Sequence, residues 1–176
     1  MKHWHENEEF QFLRYIPIEE TVIREDCEQL LSKIKALPVS DKTYGLVHGD
    51  VWLENVLVEH ELWPTIIDFQ DCEKHYYMYD LAVPLYSALE FSFQGKGSMV
   101  DYGRSIAKAL VEGYSEEHNI SEEMYEQLPL FLKLKEMFEY SLMHMYWNKE
   151  EITEEQMRIM NLYRLRIEHE IPVISL

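Results

Sequence analysis

At 176 residues, with 47% hydrophobic and 13% aromatic content, the chain suffices for one domain with a packed core. A formal charge of −17 argues against nucleic-acid or anionic-membrane partners, which need a basic footprint; it suits a cationic small molecule and equally suits solvated acidic faces. Cys27 and Cys72 lack CxxC spacing, so neither a disulfide framework nor a zinc site is indicated, and with no apolar signal core or membrane-length run the chain reads as cytoplasmic.

In chain order, residues 1–16 mix aromatic and charged side chains without a clear period and read as an extended lead-in or the remnant of an interlobe connection. Over residues 18–37, Val22, Leu30, Leu31, Ile34 and Leu37 share mostly one helical face, and Pro38 supplies a stop. Residues 44–47, 56–58 and 63–67 are β-like runs, with 59–62 as a connection, and predict one small sheet. Residues 79–93 are apolar and predict a helix with Pro84 near its start. Gly95 and Gly97 follow no strand and precede no phosphate-loop signature, so this stretch reads as a linker.

Three further helices complete the expectation. Gly103, Ile106, Ala107, Leu110, Val111 and Tyr114 mark a core helix over 98–118. Met124, Leu128, Phe131, Phe138, Leu142 and Met145 mark another over 121–147, which Pro129 either kinks or divides. Lys135 interrupts that stripe, either to meet an acidic partner in a substrate cleft or, the commoner outcome, to snorkel from the edge of a core face. Thr153 and Gln156 form a capping box for a final helix reaching about residue 170, ahead of Pro172.

The distinctive chemistry lies in residues 46–82, where His48, Gly49 and Asp50 end one apolar run, Asn55 follows, and Asp68 ends another. A carboxylate with a second acid and an amide suits phosphoryl transfer, which needs a group near the attacking hydroxyl and oxygen ligands for magnesium on the nucleotide phosphates. Taken singly, an Asp or Asn after a strand is usually a turn former or helix cap. His60, His75 and the other histidines show no metal-ligand spacing.

HGDVWLEN, IIDFQD and YDLA, in this order and spacing, resemble the HGDxxxxN, IDFxD and DLA pattern of the aminoglycoside phosphotransferase and choline kinase group, relatives of the protein kinases. The likeness covers about a third of the chain closely. It implies Asp50 as catalytic base, Asn55 and Asp68 as magnesium ligands, and His48 and Asp80 as supports of the loop; Asp71 matches a frequent acid of the pattern, a site or substrate-binding group. Glu54 stands where many members carry glycine. The implied fold is α+β and predominantly helical, a kinase-like C-terminal lobe with a β-hairpin sheet carrying the loop. Implied cofactors are Mg2+ and ATP, and the implied partner is a small-molecule hydroxyl acceptor, aminoglycoside-like or choline-like, that can be cationic.

Only 49 residues precede Asp50, no glycine occurs before Gly45, and Lys2, Lys33, Lys35 and Lys42 lack the strand context of a nucleotide-binding lysine. The expectation is a single domain over 1–176 without the nucleotide lobe, binding Mg-ATP weakly and transferring phosphate slowly or not at all on its own. The favoured reading is the catalytic and substrate lobe of a small-molecule kinase. A degenerate kinase-like binding module without turnover is the alternative, and a metal-dependent hydrolase is weaker because one Asn and two Asp are few ligands for two metals. Apolar surface normally covered by the other lobe predicts a homodimer, with Trp4, Phe10 and Phe12 as its cover.

Overall fold

The computed structural model describes residues 1–59 and 63–174. The chain opens with three 3-10 turns, Trp4–Glu6, Glu8–Phe10 and Phe12–Arg14. Asn7 caps the second turn by accepting from the Glu9 amide at 3.2 Å. These short turns explain the missing helical period. Trp4, Phe10 and Phe12 are buried in the chain's own core at 2%, 4% and 0% exposure. The segment is therefore neither a lead-in nor a cover for a second copy, because its rings are already buried within the chain.

Helix α1, Thr21–Lys35, buries Ile23, Cys27, Leu30 and Ile34, while Val22 turns outward. Strands β1 Tyr44–Val47, β2 Val56–Glu59, β3 Trp63–Ile66 and β4 Glu73–Tyr76 form two antiparallel pairs rather than one sheet. β1 pairs with β4 from Tyr44↔Tyr76 to Val47↔Glu73, and β2 pairs with β3 from Val56↔Ile66 to Glu59↔Trp63. The connection expected at 59–62 lies largely outside the described residues, as does His60. β4 carries Glu73 and His75 inward and Lys74 outward, so its alternation is polar on the buried face and invisible to a search for apolar strands. Its edge also receives the N-terminus: the Lys74 amide donates to the Lys2 carbonyl at 3.0 Å.

Helix α2, Tyr77–Ser87, starts directly after β4 and is buried on nearly every side, with Tyr79, Leu85 and Tyr86 all at 1% exposure or less. Pro84 sits in its interior rather than near its start, because the helix begins two residues before the apolar run suggested. The helix then widens into a π turn at Ala88–Ser92. Ser98 caps α3, Met99–Glu117, and Ser121 caps the short α4, Glu122–Tyr125. Pro129 falls in the first turn of α5, Leu128–Tyr146, and so begins a helix instead of kinking one. The Thr153–Gln156 capping box opens α6, Glu154–Glu168.

Helix α2 packs on α5 at the centre, α3 flanks α2, and α1 and α6 close the other side of α5. Arg166 of α6 clamps this arrangement: its guanidinium holds both Glu90 oxygens at 2.7 and 2.6 Å and Glu136 at 2.7 Å. Among the described residues no helix is long and apolar enough to cross a membrane. The result is a mostly helical α+β domain with two separate antiparallel β pairs. Phe12→Ala is expected to lower unfolding stability in urea by about 3–5 kcal/mol, the range for emptying a well-packed aromatic site; a detached lead-in would show almost no change.

Candidate active site

The loop after β1 is held from beneath by Asp80, in the first turn of α2. Its two carboxylate oxygens accept from consecutive amides, His48 N–H and Gly49 N–H, both at 2.8 Å. Two amides converging on one carboxylate make a rigid turn. Asp80 is half-buried. Desolvation pushes its carboxyl above the usual range, against the lowering effect of these hydrogen bonds. Gly49 adopts φ +84°, and a Cβ there would stand 2.9 Å from the Asp71 carbonyl oxygen, so both backbone angle and space require glycine.

His48 joins this loop to the end of β3. Its Nε2 lies 3.0 Å from the Ile67 carbonyl, and its Nδ1 lies 3.3 Å from the Asp50 amide. One tautomer satisfies both: Nε2–H donates to Ile67 and bare Nδ1 accepts from Asp50. The Phe69 ring packs on the imidazole with centroids 4.8 Å apart. Ile67 also donates its amide to the Asn55 carbonyl at 3.0 Å. Both backbone groups of Ile67 are thus tied to the two loops that carry Asp50 and Asn55.

Asn55, at 8% exposure, donates from Nδ2 to the Asp50 carbonyl at 2.9 Å and to Asp50 Oδ2 at 3.0 Å. With both amide protons on Asp50, the Asn55 Oδ1 remains an acceptor. Asp68 is exposed, lies in the left-handed region at φ 65° and ψ 64°, and among the described residues forms no side-chain hydrogen bond. A non-glycine residue there costs about 1–2 kcal/mol, tolerated where the turn must aim a side chain. The structure brings Asp50 and Asn55 into contact and sets Asp68 one residue past their shared tie at Ile67. Asn55 Oδ1 and the Asp68 carboxylate are hard oxygen donors that fit a magnesium or calcium ion completed by phosphates. No cluster of three or more His, Cys, Asp or Glu able to hold a metal by itself occurs among the described residues. Glu54 is exposed within a 3-10 turn, Leu53–Asn55, whose backbone needs no glycine.

Asp50 opens onto a cavity of about 280 Å3. Its wall carries Glu9 from the N-terminal turns, Asp71 after β3, Glu73 of β4, and Lys135 and Glu139 of α5. Against these carboxylates stands one ammonium, that of Lys135, paired with Glu139 at 2.7 Å. Burial pushes the Asp71 carboxyl up, and Asp50, Glu9 and Asp68 add to the shift. Burial likewise raises Glu73 to about 7, with Asp71 and Glu9 contributing, although Asn7 Nδ2 donates to its Oε2 at 3.1 Å. A second, more open cavity shares Asp71 and Glu73 with it and is lined also by Met145 and Tyr146. Asn7, Glu9, Glu73 and Glu139 were not singled out from the sequence. Glu139 could have been, as the helical i+4 partner of the odd lysine; Asn7 and Glu9 reach the site only through the fold.

Residues 2–127 match the phosphotransferase enzyme family, APH. The chain belongs to this family. Amicoumacin kinase of Bacillus subtilis (strain 168) is 26% identical over 172 residues, which are 98% of this chain and 51% of that protein. A solved amicoumacin kinase in complex with AMP-PNP, Ca2+ and Ami matches 99% of the chain and 52% of its own, with a TM-score of 0.92 at 25% identity. The microcompartment-associated aminopropanol kinase matches 95% of the chain and 47% of its own with a TM-score of 0.66 at 20% identity, a likeness of fold. This APH chain spans about half the length of these relatives.

Two outcomes follow from the site's geometry. Asp80→Asn leaves one of the His48 and Gly49 amides facing an NH2 group, and thermal unfolding should show a loss of about 1–3 kcal/mol. Because the folded-state pKa of Glu73 is raised from 4.5 to about 7, its contribution to stability is full at low pH and is lost as pH rises through that window. Glu73→Gln should therefore match the parent near pH 4.5 and exceed it at about pH 8 by about 1–3 kcal/mol in urea unfolding.

Proposed function

We propose that this chain is the catalytic and acceptor-binding half of an ATP-dependent small-molecule kinase, and that its acceptor is an alcohol bearing an ammonium group. The observation carrying this reading is that Asp50, fixed by Asn55 and the Asp80-anchored loop, faces a cavity whose carboxylates outnumber its single ammonium. Asp50 orients the acceptor hydroxyl and receives its proton. Its Oδ2 already accepts from Asn55, which restricts the carboxylate to one rotamer. Asp71 and Glu9 hold the ammonium and so place the hydroxyl at Asp50.

Asn55 Oδ1 and Asp68 would hold a divalent cation on the nucleotide phosphates; when bound, this ion offsets the charge of the transferring phosphoryl group. Family membership and the likeness to amicoumacin kinase, solved with AMP-PNP and Ca2+, support nucleotide and metal use. The loose transition state of phosphoryl transfer leaves the protein chiefly the tasks of alignment and charge stabilisation, which a braced loop performs.

The reading is tested by incubating the chain with Mg-ATP labelled at the γ-phosphate and a panel of aminoglycosides, choline and ethanolamine. Slow transfer to an amine-bearing alcohol is expected at saturating Mg-ATP, with a further loss of about 10²–10⁴-fold in rate on Asp50→Asn. Amine binding with no transfer above background even at saturating Mg-ATP would instead favour a binding module without turnover.

A further inference from the structure

Lys135 is the side chain in the acidic cavity that the steps above leave without a task. It lies in mid-α5 at 4% exposure, with Nζ 2.7 Å from Glu139 and 4.8 Å from the centroid of the Phe138 ring. It lines the same cavity as Asp50 and Asp71. An ammonium has three N–H donors and no acceptor. One of these meets Glu139; the Phe138 face steadies the charge without offering a fixed lone pair. Among the described residues no other protein oxygen is hydrogen-bonded or ion-paired to Nζ. A buried ammonium in this state gains from any ligand oxygen that completes it.

The surroundings select which oxygen. A carboxylate on the acceptor would be drawn to Lys135 but repelled by Glu9, Asp50, Asp71 and Glu139. A neutral carbonyl oxygen gains the same hydrogen bond without that repulsion. Lys135 and Glu139 are one helical turn apart on one face of α5. A carbonyl at Lys135 and an ammonium near Glu139 and Asp71 would therefore be close neighbours in the ligand.

We propose that Lys135 is a specificity-determining residue that binds a neutral carbonyl oxygen of the acceptor, which is then an amino alcohol with an amide- or ester-type carbonyl beside its ammonium. This rests on the amine-bearing acceptor assigned to the same cavity and narrows it.

Ethanolamine, L-serinamide and L-serine share one skeleton and differ in what stands on the amine-bearing carbon: hydrogen, a carboxamide or a carboxylate. Their dissociation constants can be read by NMR titration of the 15N-labelled chain at about pH 6, where the amines are charged. Serinamide should bind about tenfold tighter than ethanolamine, the size of one charge-assisted hydrogen bond, and serine no tighter than ethanolamine. Lys135→Met should bring the ratio for serinamide over ethanolamine to about one. Equal binding of the two by the unaltered chain overturns the inference without recourse to a variant, as does a serinamide preference that survives Lys135→Met. The underlying reading is checked separately with Asp71→Asn: ethanolamine that fails to bind the parent, or binds the variant as well, overturns the amine assignment and this inference with it.

Discussion

The site depends on one carboxylate receiving two neighbouring amides. Asp80 stands in the first turn of a helix packed on almost all sides, and its position is therefore fixed by Tyr79, Leu81 and Leu85 as much as by its own bonds. From that fixed point it dictates the direction of the His48 and Gly49 peptide units. Asp50 is the next residue, and its backbone has little freedom left. His48 extends the constraint to Ile67, and Ile67 returns it to Asn55. Core packing is thereby converted into side-chain alignment through a short chain of hydrogen bonds.

Much of this was legible in the sequence because the motif residues lie close together along the chain and at the ends of β-like runs. Strands β1 to β3 follow from β-like runs, helices α1, α3 and α5 from apolar periodicity and α6 from its capping box, with small shifts at their ends. The exceptions have physical causes. β4 hides its polar side chains inside, where Glu73 and His75 face the N-terminal turns, so alternation ran opposite to the usual sense. The first sixteen residues form 3-10 turns too short to show a period, and their rings find partners such as His75 and Phe138 that are distant in sequence. Lys135 was visible as an anomaly, but only the fold shows that its face of α5 borders a cavity rather than solvent.

The distribution of charge separates two environments only a helix width apart. On one side of α5, Phe131, Leu134 and Met137 belong to a dry core. On the other, Lys135 and Glu139 look into a cavity where burial first, and neighbouring acids second, push a carboxyl such as Glu73 upward. The overall charge of −17 thus has a local expression near Asp50, besides its diffuse effect on the surface. The N-terminal turns take part in both environments, since Phe10 packs in the core while Asn7 and Glu9 complete the cavity wall.

The Arg166 clamp constrains how the chain can be assembled during synthesis. Glu90 leaves the ribosome 76 residues ahead of the guanidinium that neutralises it. At about 5–20 residues per second, that is an interval on the order of 4–15 s for Glu90, and a shorter one for Glu136, in which a carboxylate destined for the interior has no cation. Enclosing either early would leave uncompensated buried charge, a penalty of about 3–5 kcal/mol. Closing the junction of α2, the π turn and α5 is therefore disfavoured until α6 supplies its guanidinium.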